Sequence, residues 1–130
     1  MSTHVRHVFL VDDESMITQT LELILTREGY KVSSFTNPLD ALEQMKTTVP
    51  DLLISDVMMP ELSGLDLAME VRDFHPECKI LLFSGHAFTR DFLQKARKRG
   101  HNFRILAKPV HPGELLREIE QVMPRSAPSN

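Results

Sequence analysis

The chain has 130 residues, 42% of them hydrophobic and 25% charged, a profile that fits one globular domain with one core and leaves no material for a second. Its formal net charge of -3 and pI near 6.0 give no global electrostatic reason to bind nucleic acid. A single cysteine, Cys78, excludes an internal disulfide and suits a reducing, cytoplasmic setting.

The first apolar run, residues 8–11, stops at Asp12-Asp13-Glu14. It is too short for a signal peptide or a membrane span, so no membrane association is expected. A strand is predicted there, followed by a helix with Ile17, Leu21, Ile24 and Glu28 on one stripe and Gly29 at its end. Residues 31–35 alternate as a mixed strand, and Asn37-Pro38 reads as the cap and first-turn proline of a helix carrying Ala41, Leu42 and Met45. A strand at 52–54 precedes Ser55-Asp56, and a helix with Leu67, Ala68, Val71 and Phe74 follows. Cys78, expected to be a buried, inert thiol, leads into a strand at 80–83. A weaker helix with Phe92, Leu93 and Ala96 ends at Gly100, and a strand is predicted over residues 103–106. His111-Pro112 then opens a clear helix with Leu115, Leu116, Ile119 and Val122 on one stripe. The expected organisation is an extension at 1–6, one domain at 7–123 and a disordered tail at 124–130, with no linker to an output domain.

Five repeats of strand then helix argue for an open parallel sheet covered on both faces, a doubly wound α/β fold. The wholly apolar strands are its centre, and residues 31–35 form an edge. Ligands in such sheets bind outside the carboxyl ends of the strands. There the first strand meets Asp12 and Asp13, the third ends at Asp56, the fourth at Ser84, and the fifth leads to Lys108-Pro109. Two carboxylates about 4 Å apart repel by roughly 4 kcal/mol at an effective dielectric near 20, so a cation is expected among them, and Mg²⁺ prefers such hard oxygen ligands. The aspartates can also be read as simple caps and turn residues, but caps do not explain a lysine and a hydroxyl at the same edge.

Val11-Asp12-Asp13-Glu14, Ser55-Asp56-Val57-Met58-Met59-Pro60 with Gly64, Ser84-Gly85 and Lys108-Pro109 together resemble the receiver domain of two-component response regulators, over Val8 to about Met123. The resemblance implies a single flavodoxin-like domain of five parallel strands in the order 2-1-3-4-5, acting in signal transduction and not as an enzyme on other molecules. It implies that Asp56 accepts a phosphoryl group, that Asp13, Asp56 and the main-chain carbonyl of Met58 bind Mg²⁺ with Asp12 acting through water, and that Ser84 and Lys108 hold the phosphoryl group. A cis Lys108-Pro109 bond is also implied. The expected partners are a sensor histidine kinase or phosphotransfer protein, an output partner at the fourth helix and fifth strand, and a second copy in a weak homodimer. An interaction module working without phosphorylation is the alternative. A phosphatase of the haloacid dehalogenase type would need an aspartate two residues after the nucleophile, where Met58 stands.

Two departures bear on switching. The position three before the lysine usually holds Tyr or Phe and here is Ile105, and the segment from Gly100 to Lys108 is one residue longer than usual. Ile105 and Phe103 should share a strand face, with Phe103 packed against the fourth helix near Phe92 or Leu93. The cluster Arg90, Lys95, Arg97, Lys98, Arg99 and Arg104 reads as a solvated face or a docking patch. His86, two residues past Ser84, is either a tuner of water access or simply exposed. The other histidines read as structural, and Met58, Met59 and Met69 as loop and core packing.

Overall fold

Apolar runs and helical stripes alternate along the chain, and the computed structural model, which describes residues 5–59, 62–85, 89–101 and 103–124, turns each pair into a strand and a helix that returns over the sheet. The elements are β1 (His7–Val11), α1 (Ser15–Arg27), β2 (Lys31–Phe35), α2 (Pro38–Met45), β3 (Leu52–Asp56), α3 (Gly64–Phe74), β4 (Lys79–Ser84), α4 (Thr89–Lys98), β5 (Arg104–Ala107) and α5 (Pro112–Val122). The sheet is five-stranded, in the order β2-β1-β3-β4-β5, and every pair is parallel. The winding reverses between β1 and β3, so the crevice between their carboxyl ends is the topological switch point where this architecture binds ligands.

Alternation along the strands divides the core into two layers. Phe9, Val11, Leu53 and Leu82 face α2, α3 and Ala96 of α4. Val8, Leu10, Ile54, Leu81 and Phe83 face Leu21 and Leu25 of α1 and Leu115 and Ile119 of α5. Burying each such side chain contributes roughly 1.5–3 kcal/mol, and the apolar central strands can be apolar throughout because both faces are covered.

Local signals act as expected at most element ends. Gly29 and Gly100 have φ of 94° and 84°, the left-handed values that let a chain leave a helix without a Cβ clash. Asn37 caps α2 by accepting the Leu39 N–H. His111 stands at the cap position of α5 without a side-chain capping bond, and Pro112 alone starts that helix. Cys78 is buried, and burial pushes its thiol pKa up to about 12. Among the described residues no helix is long and apolar enough to cross a membrane.

Three sequence expectations are corrected. β1 begins at His7, whose N–H donates to Asp51 Oδ2 at 2.8 Å and whose ring pairs with Ser33 Oγ at 2.8 Å. β5 begins at Arg104, so Phe103 precedes the strand. Phe74 leaves the helical stripe for solvent at 73% exposure, because α3 ends there and the ring lies over an open groove beside Leu42 and Met45 of α2. Residues 125–130 of the predicted tail lie outside the described residues.

Candidate functional site

β1 and β3 lie side by side, so the residues that end them meet. Asp12, Asp13 and Asp56 each offer one carboxylate oxygen within 4.8 Å of the others. Asp12 and Asp56 are 3% and 7% exposed, while Asp13 is open to solvent. Three hard oxygen donors, two fixed in protein and one at the surface where water can complete a shell, fit Mg²⁺.

Each group is held by its neighbours. Asp12 N–H donates to the Phe35 carbonyl at 3.1 Å, and its Oδ1 accepts the Glu14 N–H at 2.9 Å, which turns the chain from β1 into α1. Asp56 Oδ1 lies 3.4 Å from the Met58 N–H. Lys108 Nζ reaches 3.2 Å from Asp12 Oδ2 and 3.2 Å from Asp56 Oδ2, with Glu14 Oε1 at 3.9 Å. Its backbone N–H donates to the Ser84 carbonyl at 2.9 Å, and the Lys108-Pro109 bond is cis. Ser84 is buried at the end of β4, whose Phe83 is in register with Asp56.

The electrostatics follow from one cation among several carboxylates. Burial raises the Asp12 pKa, and Asp56 adds to that rise, while the Glu14 N–H and Lys108 oppose it. Burial pulls the Lys108 pKa down, but the attraction of Asp12 and Asp56 exceeds it, so the ammonium is held above its ordinary value. A permanently charged lysine facing a partly desolvated carboxylate pair can bind an added anion without first acquiring a proton.

The structure thus brings together Asp12, Asp13, Asp56 and Lys108, with Met58 and Ser84 adjoining. Ile105 and Phe103 stand away from this edge, in the layer between the sheet and α3 and α4. They share a face, as expected, but Phe103 meets Arg72 of α3, whose guanidinium carbon lies 5.5 Å from the ring centroid, and stacks on His101 at 5.7 Å. The side chains of Arg90, Phe92 and Leu93, and His86 as a whole, lie outside the described set. Arg104 pairs with Glu118 at 3.2 Å, while Lys95, Arg97, Lys98 and Arg99 are exposed. Ser55 and Gly64, which stand in the sequence motif without an assigned role, pack against the Asp56 backbone. A serine in an otherwise apolar strand and a glycine opening a helix were the available signals.

A doubly wound parallel sheet with an acidic, lysine-capped crevice at its switch point defines a small α/β signalling class. The chain belongs to the response regulator receiver domain family of two-component systems, whose model matches residues 8–120. It is 29% identical over 118 residues to the response regulator receiver protein CpdR of Brucella abortus, covering 91% of this chain and 97% of that one. It is 34% identical over 116 residues to the phosphoglycerate transport system transcriptional regulatory protein PgtA of Salmonella typhimurium, covering 89% of this chain but 28% of that protein's length. Among solved structures, a response regulator receiver domain protein from Clostridium thermocellum superposes with TM-score 0.81 at 28% identity, covering 93% of this chain and 96% of that one. A signal receiver domain of an HD domain-containing protein from Pseudomonas fluorescens gives 0.84 at 26%, covering 92% and 95%.

Proposed function

We propose that the chain is a Mg²⁺-dependent phosphoryl acceptor in which Asp56 is the modified residue and a sensor histidine kinase or phosphotransfer protein is the donor. The observation that carries this reading is the position of Asp56: it ends a central strand at the switch point, 3.2 Å from the Lys108 ammonium and grouped with Asp12 and Asp13. A carboxylate oxygen of Asp56 attacks phosphorus, the P–O bond forms as the donor's P–N bond breaks, and the imidazole leaves with a proton. Asp13, Asp56 and the Met58 carbonyl would hold Mg²⁺, with Asp12 acting through water, and the bound ion would supply charge neutralisation at the transferring oxygens. Lys108 exchanges its carboxylate partners for a phosphoryl oxygen, and the Ser84 hydroxyl donates to another. The aspartyl phosphate is a labile acyl phosphate, so the mark is timed. The domain spans residues 7–123, works in the cytoplasm, and passes its state to a partner at α4 and β5.

Ile105 favours a second reading, an interaction module that works without phosphorylation, since this side chain has no hydroxyl to report on Ser84. A beryllofluoride titration with Mg²⁺, followed by NMR, separates the two. Phosphorylation-linked switching predicts shifts around Asp56 and Gly85 that extend into α4. Shifts that stop at the crevice would support the second reading, and their complete absence would contradict the first.

A further inference from the structure

Along β3 and just past it, Leu53, Ser55 and Val57 lie in the row that faces α3. Leu53 and Val57 are buried apolar residues of that layer, and Ser55 is 0% exposed between them. A buried hydroxyl without a partner destabilises the fold, and this one donates to the carbonyl of Asp56 at 2.9 Å. The first residue of α3 closes over the same spot. A Cβ on Gly64 would lie 1.7 Å from the Asp56 carbonyl oxygen and 2.9 Å from Ser55 Oγ. Gly64 N–H donates to the Val57 carbonyl at 2.7 Å, and Val57 N–H donates to Phe83 of β4 at 2.9 Å. The peptides on the carboxyl side of Asp56 are therefore clasped between β4, the Ser55 hydroxyl and the start of α3.

We propose that Ser55 is a positioning residue for Asp56. Its hydroxyl fixes the Asp56 carbonyl, which sets the direction in which the chain leaves β3, and with it the aim of the Asp56 carboxylate at Lys108 and the placing of Met58. The inference rests on the reading of Asp56 as the acceptor. An apolar residue in this row would satisfy packing but leave the Asp56 carbonyl without its hydroxyl partner, that peptide then being held only through the Val57 N–H and the contact with Gly64, and small misplacements of a reacting group reduce rates steeply.

The test compares wild type with Ser55→Ala, Ser55→Cys and Ser55→Thr, using acetyl phosphate and Mg²⁺ and reading phosphorylation by intact mass against melting temperature. Ser55→Ala and Ser55→Cys are expected to fold, with a rate constant about tenfold lower. Ser55→Thr keeps the hydroxyl and is expected to restore the rate to within about twofold, although its extra methyl in a filled row lowers the melting temperature. Rates that follow stability across the three, or Ser55→Ala and Ser55→Cys as fast as wild type, overturn the proposal. A wild type that takes no phosphoryl group overturns the reading of Asp56 itself, and the Ser55 proposal falls with it.

Discussion

Asp12 is the most enclosed of the three clustered carboxylates, and its charge works against folding. Its pKa is raised above 3.8, chiefly by burial. The unfolded chain therefore releases this proton at lower pH than the folded one, and the contribution of Asp12 to stability is fully present below about 3.8 and lost as pH rises through the folded value. Asn at this position keeps the Oδ1 acceptor for the Glu14 N–H while removing the charge. Without divalent cations, Asp12→Asn is expected to melt above wild type at neutral pH, with the gap closing in acid. Thermal melts across pH 3 to 7 check this, and a gap that widens in acid would contradict it. The identities of Asp12, Asp13, Asp56 and Lys108 were legible because each ends or follows an apolar run. The contact made by Ser55 was not, since a single serine has no periodic signature and its partner is the carbonyl of the next residue.

At the level of elements, the turn from β3 into α3 depends on a missing side chain. The Ser63 hydroxyl accepts the Asp66 N–H and donates to the Asp66 carboxylate, capping the helix, and this seats Gly64 directly on the Asp56 backbone. Gly64→Ala forces a methyl into that contact and is expected to destabilise the domain by roughly 3 kcal/mol, near the top of the range for overpacking. Urea unfolding measures it, and a loss under about 1 kcal/mol would mean the turn relaxes freely. The start of β5 is fastened differently from what strand alternation suggests. Phe103 is held by the Arg72 guanidinium and by His101, whose Nε2 lies 3.4 Å from Asp73 Oδ1. That union of α3 with the segment before β5 was illegible in sequence because it joins residues some thirty positions apart through contacts that exist only after the sheet forms. Ile105 is partly buried in the same layer and has a stiff, branched χ1, so if the crevice is coupled to α4, the expected route is the backbone after Ser84 and not an aromatic rotamer change. Ile105→Tyr is accordingly expected to enlarge the beryllofluoride-induced shift changes on α4. A large wild-type response accompanied by a rotamer change at Ile105 would contradict this.

For the whole molecule, the layered architecture was readable because its two signals reinforce each other. Strands apolar throughout need cover on both faces, and the helical stripes between them supply it, α1 and α5 on one side and α2, α3 and α4 on the other. The strand order itself does not follow from alternation. It came from the resemblance carried by the Asp, Ser and Lys motifs, and the paired strands agree with it. The stripe of α3 could not show that its last residue, Phe74, is exposed where the helix ends. The arrangement has one chemical consequence: carboxylates from β1 and β3 and a lysine after β5 converge only if β1, β3, β4 and β5 are in register, so the fold and the acidic crevice are assembled together. The most direct measurement is the intact mass of the protein after incubation with acetyl phosphate and Mg²⁺, for wild type, Asp56→Asn and Asp13→Asn. The account predicts one added phosphoryl group on wild type, none on Asp56→Asn, and a strongly reduced, weakly Mg²⁺-dependent yield on Asp13→Asn. A phosphoryl group persisting on Asp56→Asn, or a wild type that gains none, would contradict it.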